Sequence, residues 1–591
     1  MGSFIKNTMS SVLGTIIGFF LFFLLFLLIA SAIGSGGDKK VTIEENSALM
    51  FTLNKPIVER TNDKDQQGID MDLGPFSANV PIGLKQILSS IDQAKNDERI
   101  KGIFLNVSGI SASSSSAFDV RNALENFKES GKWIVAYAEG FTQGGYYIAS
   151  VADELYLYPE GSLSWQGIGG KSMYLKNMLD NLDIEMQIIR GPNNKYKSAV
   201  EPLMYDHMSE PSHEQMEELI GDIWTTMLKG IAENRNISVE QLNQYANNIS
   251  VSTAMDAKSL GFVDDLKYQD EVMTILQEKL GVDEVVMDGK KKHLVSFSKY
   301  YKPKKSGSYD SKRIAVVYAT GGIESGKGDD ETIGSITIAK ALRNARLDEK
   351  VEAVVLRVNS PGGSALASDV IWRETQLIKE AGKPFVVSMG GVAASGGYYI
   401  AAGADKIFAN NNTITGSIGV FGILPNLKNF YENKIGITLD GVSSNGHNSW
   451  SINYPLDSVQ RKAVEISVTD IYNGFLSKVA EGRNMTTDQV DAIAQGRVWS
   501  GEDAKEVGLV DEIGDLQAAI DEASRMAGLE EYRIKELPKM EDPLEKLLKQ
   551  MIGEASLEMY LGSEAEKIRE IEKLLTMKGV QARIFFDVEL N

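Results

Sequence analysis

Apolar residues fall along this chain in three rhythms. Residues 12–33 form an uncharged run dominated by Phe, Leu and Ile, behind a short N-terminal segment, 1–11. That run is long enough to cross a bilayer as one helix. From about residue 45 to 288 the rhythm changes: short apolar stretches at 102–107, 133–137 and 155–158 alternate with helical faces such as Phe118, Val120, Leu124 and Phe127. Strands alternating with helices of this length predict βαβ units with parallel strands. A lysine-rich stretch, 289–312, reads as a linker, and beyond it strands at 352–358 and 384–389 restart the pattern up to about residue 536. The third rhythm is the amphipathic spacing of Leu544, Leu547, Leu548 and Met551 in a C-terminal extension, 537–591, that also holds Ile584-Phe585-Phe586. This extension is expected to pack on the core or on a neighbouring chain.

The restart is a repetition. Gly144-Gly145-Tyr146-Tyr147-Ile148-Ala149 recurs 252 positions on as Gly396-Gly397-Tyr398-Tyr399-Ile400-Ala401. Ala232-Glu233-Asn234-Arg235-Asn236 recurs 248 on as Ala480-Glu481-Gly482-Arg483-Asn484. Asp256-Ala257-Lys258 with Gly261-Phe262-Val263-Asp264 recurs 247 on as Asp503-Ala504-Lys505 with Gly508-Leu509-Val510-Asp511. Matches at nearly one offset identify a tandem duplication of an α/β unit, 45–288 and 313–536.

Composition narrows the function. A formal charge of −20 with no basic stripe argues against a nucleic-acid partner. The absence of cysteine excludes disulfides, thiol catalysis and thiolate metal sites. His213-Glu214-Gln215-Met216-Glu217 lacks the second histidine of a zinc-binding helix, so no metal site is expected, and no nucleotide or other cofactor is implied. One apolar run followed by a large acidic body predicts a single-pass anchor with the body on the extracytoplasmic side. Ala30-Ser31-Ala32 also resembles a cleavage site, which leaves a processed form open.

Differences between the two copies point to chemistry. Ser395-Gly396-Gly397 in the second copy stands where the first has Gln143-Gly144-Gly145. A serine among small residues between a strand and a helix suits a nucleophile, and the first copy has lost the hydroxyl. Residues 182–202 align without a gap on 435–455, so Lys197 stands opposite Trp450. One copy offers lysines without the serine, the other the serine without a lysine: the pattern of one site built jointly from both halves. Gly362 and Gly363, in Asn359-Ser360-Pro361-Gly362-Gly363-Ser364, close a strand and open a helix, where paired glycines expose backbone N–H groups to a forming oxyanion. As the base, Lys195, Lys197 and His447 stand open; a lysine serves if burial lowers its pKa toward neutrality.

With the anchor and the duplication, several motifs resemble the signal peptide peptidase A family in its long, tandem form. They are Tyr196-Lys197-Ser198-Ala199-Val200-Glu201-Pro202, Ser360-Pro361-Gly362-Gly363, Ala394-Ser395-Gly396-Gly397-Tyr398-Tyr399 and Thr415-Gly416-Ser417-Ile418-Gly419. The resemblance covers nearly all of the chain after the anchor. It implies a Clp protease/crotonase-like fold and a serine/lysine dyad, with Ser395 as nucleophile and Lys197 as general base. Ser417 would orient the lysine, and Gly363 and Gly396 would supply the oxyanion-hole N–H groups. It further implies cleaved signal peptides as substrates, a place at the inner membrane with the body in the periplasm, and a homo-oligomer, a tetramer in the tandem form. The acidic C-terminal extension departs from the family's pattern. The rival readings are a non-catalytic membrane scaffold that binds peptides and a crotonase-like acyl-CoA enzyme.

Overall fold

The computed structural model describes residues 43–61, 81–283, 293–301, 311–447, 450–540 and 580–584, with residue 285 and a few positions between 13 and 21. The anchor expected at 12–33 and the amphipathic spacing at 544–551 lie largely outside those residues. Among the described residues no helix is long and apolar enough to cross a membrane.

Two sheets carry the fold, parallel but for the antiparallel pair Ile414–Gly416 and Val498–Trp499 in the second, and six strands of each repeat one order. The first runs Asp265–Leu266, Glu154–Leu163, Trp133–Phe141, Ile100–Asn106, Ser47–Thr52, Leu294–Ser296. The second runs Glu512–Ile513, Lys406–Ala409, Phe385–Ala394, Val351–Ser360, Arg313–Thr320, Arg533–Leu537 in the same order. The duplication inferred from short motifs is therefore a duplication of topology. Helices cover the sheets, which is why the central strands read as nearly unbroken apolar runs; all ten residues of Phe385–Ala394 are buried. One boundary moves: the stretch 289–312 taken as a linker contains Leu294–Ser296, the edge strand of the first sheet, and the short helix Phe297–Tyr300. Val295, Phe297 and Tyr300 are buried there, and the preceding lysines hid that apolar content.

The Phe385–Ala394 strand is also where the two units meet. Read from sequence, it ends at residue 389 and Gly390-Gly391 begin a turn; in the structure it continues to Ala394. The glycines answer a close approach instead. A Cβ on Gly390 would lie 2.6 Å from Glu59 Oε1, and one on Gly391 would lie 2.7 Å from Ser113 Oγ, both in the first unit. Val392, Ala394, Ile414 and Val498 accordingly belong to the hydrophobic core of the first unit.

A buried charge cluster pins the same contact. Arg357 donates to Glu59 at 2.9 and 3.3 Å and to Ser388 Oγ and the Met389 carbonyl at 2.9 Å each. Asp119 lies 3.8 Å from the guanidinium and accepts from Asn410 at 2.7 Å. A third, mixed sheet spans the units: Thr332–Gly334, Gly322–Glu324, Gly362–Ser364, Val580–Arg583, Phe421–Asn426 and Glu185–Arg190.

Removing one partner of a buried ion pair leaves an uncompensated charge, so Glu59→Ala is expected to destabilise the protein by about 3–5 kcal/mol. Denaturant unfolding measures this; a change below about 1 kcal/mol would mean that the cluster does not hold the units together.

Candidate active site

Ser395 ends the buried strand and caps the helix Gly396–Ala401, at φ 57° and ψ −112°. Positive φ is costly for a residue with a Cβ and persists only where the surroundings enforce it. Here the Ser395 amide is held by the Gly416 carbonyl at 2.8 Å. The first copy shows the relaxed form of this junction. Thr142 caps the helix Gln143–Ala149 at an ordinary φ of −72°, and the Gln143 side chain accepts from the Gln166 and Gly167 amides at 2.8 Å. Of the two corresponding residues, Ser395 and Gln143, only the serine is at positive φ.

Lys197 reaches Ser395 from the other unit. The strand Glu185–Arg190 pairs antiparallel with Phe421–Asn426 and carries the following loop across the boundary between units. The Tyr196 amide then bonds the Gln495 carbonyl at 3.0 Å, and Gln215 holds the Tyr196 carbonyl and Ser198 Oγ at 3.0 and 3.1 Å. The lysine stem lies against Gly496, at φ 80°, where a Cβ would come within 2.5 Å of Lys197 Cβ. Its Nζ is 2.8 Å from Ser395 Oγ, 2.9 Å from Ser417 Oγ and 3.1 Å from the Ser417 carbonyl. The Phe421 ring centroid lies 6.0 Å away.

Lys197 is 1% exposed, and burial alone pushes its pKa well below the ordinary 10.5. The hydrogen bonds suit the neutral amine. Its two N–H groups serve the Ser417 carbonyl and Ser417 Oγ, whose own hydroxyl donates to the Gly496 carbonyl at 3.3 Å. That leaves the amine lone pair for the Ser395 hydroxyl. An unprotonated amine so placed can take the serine proton as the oxygen attacks an electrophile.

Of the expected residues, the structure thus brings together Ser395, Lys197 and Ser417. Lys195 is exposed and bonds the Tyr196 hydroxyl at 2.9 Å. His447 is exposed and pairs with Asp457 at 2.8 Å, so neither belongs to the cluster. The glycines divide. Gly362, at φ 96°, donates its amide to Ser360 Oγ at 3.1 Å, so it is not available as an oxyanion donor. Gly363 and Gly396 lie side by side: a Cβ on Gly396 would sit 3.1 Å from both the Gly363 nitrogen and the Ala582 carbonyl oxygen. Sequence reasoning missed Gly496, Ser360 and the segment around Ala582. Gly496 acts through a close backbone approach that leaves no motif, and Ser360, though part of a motif, through an Oγ whose bond to the Gly362 amide the letters do not show.

Residues 126–283 and 378–530 match the description "Peptidase family S49". The chain belongs to peptidase family S49. Protease 4 of Haemophilus influenzae is 36% identical over 500 residues, covering 83% of this chain and 81% of its own. Protease 4 of Salmonella typhi is 34% identical over 576 residues, covering 94% and 92%. A chloroplastic serine protease SPPA of Arabidopsis thaliana is 32% identical over 553 residues, covering 92% and 78%. This chain is an S49 serine peptidase, and the acyl-CoA reading falls away.

Burial of the lysine predicts a pH signature in stability. Its folded-state pKa is lowered, so the unfolded chain takes up a proton that the fold refuses; stability falls as pH drops below the unfolded value of about 10.4. Lys197→Met, which cannot titrate, should therefore compare more favourably with the native protein at pH 7 than at pH 10.5. Thermal unfolding across that range checks it; a difference independent of pH would show that the lysine is protonated in the fold.

Proposed function

We propose that this S49 peptidase is a membrane-anchored endopeptidase that works through a Ser395–Lys197 dyad and degrades signal peptides left in a membrane after cleavage. The observation that carries the dyad is the 2.8 Å contact between a strained serine and a buried lysine whose pKa is depressed by desolvation alone. In this reading Lys197 accepts the Ser395 proton as Oγ attacks the peptide carbonyl. The oxyanion forms against the Gly363 and Gly396 amides, which are fixed before the charge develops. The lysine, now protonated, gives its proton to the departing amine. Water then enters, loses a proton to the same lysine and hydrolyses the acyl-enzyme. Ser417 holds the lysine nitrogen beside the serine throughout. The apolar run at 12–33 supports an anchor, with the catalytic body on the extracytoplasmic side.

A homo-oligomer, a tetramer by resemblance, finds support in the second unit. The first-unit strand Glu185–Arg190 pairs with Phe421–Asn426, whereas its second-copy counterpart, 438–443, forms no strand. Around it Ile437, Leu439, Val442, Trp450 and Ile452 are exposed, and Val442 wholly so. A patch of this kind marks an interaction surface.

Five measurements test this reading. Ser395→Ala should abolish hydrolysis of a fluorogenic peptide, and a fluorophosphonate should label Ser395 in the native protein but not in Lys197→Ala. Residual turnover in Ser395→Ala would sink the assignment. Ser417→Ala removes about one hydrogen bond from the lysine, and kcat/KM should drop about tenfold. Activity should decline as pH falls through a single value well below 10.5, since only the neutral lysine accepts the proton. For assembly, Leu439→Asp with Val442→Asp should lower the mass seen by light scattering; an unchanged mass would exclude this surface.

A further inference from the structure

We propose that Arg497 is a positioning residue for the serine/lysine pair: its guanidinium, stacked between Tyr196 and Trp499, locks the seam between the two units and keeps water from Lys197. This rests on the Ser395–Lys197 reading and adds to it a side chain that touches neither reacting atom.

The main chain of residues 495–499 braces every member of the site. The Gln495 carbonyl accepts from the amide of Tyr196, the residue just before the lysine, at 3.0 Å. Gly496 donates its amide to the Ile418 carbonyl at 2.9 Å, and its own carbonyl accepts from Ser417 Oγ at 3.3 Å. The Arg497 carbonyl accepts from the Ser417 amide at 2.6 Å. Val498 and Trp499 pair with Gly416 and Thr415, and the Gly416 carbonyl holds the amide of Ser395. Ser417 is itself at φ 49°, a conformation that persists only where its surroundings enforce it.

The side chain of Arg497 ties this segment to the first unit. Its guanidinium carbon lies 4.9 Å from the centroid of the Tyr196 ring and 4.4 Å from that of the Trp499 ring. Tyr196 comes from the first unit and Trp499 from the second, where the Ile493 carbonyl accepts from the indole N–H at 3.0 Å. The guanidinium also bonds Glu218 and lies 3.9 Å from Glu214, both on the first-unit helix Glu210–Arg235. Gln215 of that helix accepts from the Val498 amide at 3.3 Å, beside its bonds to the lysine loop.

Solvent begins immediately outside the stack. Lys195, Glu214 and Glu218 are exposed, Tyr196 and Arg497 are half-buried, and Lys197 and Gly496 are buried. The passage from water to a dry amine is thus made within one residue on each side of the seam. Behind it the two main chains touch: a Cβ on Gly496 would lie 2.6 Å from Lys197 Cα. A gap between Tyr196 and Arg497 would therefore open directly beside the lysine. Among the described residues no charged group bonds Lys197, whose polar partners are the Ser395 and Ser417 hydroxyls and the Ser417 carbonyl. What an open seam would add at the amine is water.

The rate at which a fluorophosphonate labels Ser395, measured against pH on the full-length protein, tests this. The native rate should fall at acid pH along a limb set by protonation of Lys197. In Arg497→Met and in Tyr196→Leu the limb should move up by about one pH unit, because a wetter amine holds its proton more tightly, while the alkaline plateau is kept. Tyr196→Phe retains the ring and should label as the native protein does. Half-exposed stacks and ion pairs add little to stability, so these variants should fold, and each substitution tests the stack from its own side of the seam. The proposal is overturned if the limb stays in place in Arg497→Met, whatever the plateau does, since a merely structural role would lower labelling at every pH. It is equally overturned if the limb moves in Arg497→Met and not in Tyr196→Leu, the mark of a lost charge, or if Tyr196→Phe moves it as far as Tyr196→Leu. Failure of the dyad reading itself looks different: the native rate then has no acid limb, or Lys197→Ala labels as fast as the native protein.

Discussion

A lysine acts as a base only while it is kept from water, and that constraint organises the molecule. An exposed amine at neutral pH is protonated; burial without a counter-charge brings its pKa down and makes the lone pair available. Lys197 meets the condition with a shell that its own unit cannot build. Gly419, Gly496, Ser417 and Phe421 all belong to the second unit, and they close around a side chain supplied by the first. Desolvation of the lysine and its contact with Ser395 are therefore one event, achieved when the two units pack. Neither copy is a degenerate version of the other; each has kept what the other lacks.

The same packing accounts for the strained serine. Positive φ at Ser395 needs a rigid strand before it and a fixed partner for its amide. The strand is rigid because the first unit lies against it, through the glycines at 390 and 391 and through the Glu59–Arg357–Asp119 cluster at its base. Gln143 sits at the corresponding junction of the first unit, relaxed and with its side chain turned to the 166–167 backbone. A common ancestral turn has thus been tightened in one copy and released in the other.

Much of this was legible in the sequence, and what was not has a physical cause. The duplication, the parallel α/β units and the lysine and serine loops left motifs, because repetition and loss between copies are visible in the letters. Lys197 could not be separated from Lys195 or His447 on those grounds alone, since burial is set by residues some 200 to 300 positions away, such as Ser417 and Gly496. The glycines at 390 and 391 read as a turn because sequence does not reveal what approaches a backbone. Gly362 read as an oxyanion donor because sequence does not show that Ser360 takes its amide. The strand Val580–Arg583 was invisible for a related reason: four residues without periodicity gain a structure only from the edges they lie between.

Those edges also bear on what the site accepts. The mixed sheet joins the glycine strand of one unit, the strand leading to the lysine loop in the other and the chain's own C-terminal segment. A segment placed between Gly362–Ser364 and Phe421–Asn426 is recognised mainly through its main chain, and a ladder of this kind is indifferent to most side chains. In the proposed reading, a substrate strand has to be unfolded and to offer free N–H and C=O groups on both edges. Folded domains fail the first condition. Helical apolar segments meet it only once they unwind, so for such substrates unwinding, and not side-chain fit, sets the energetic barrier to entry.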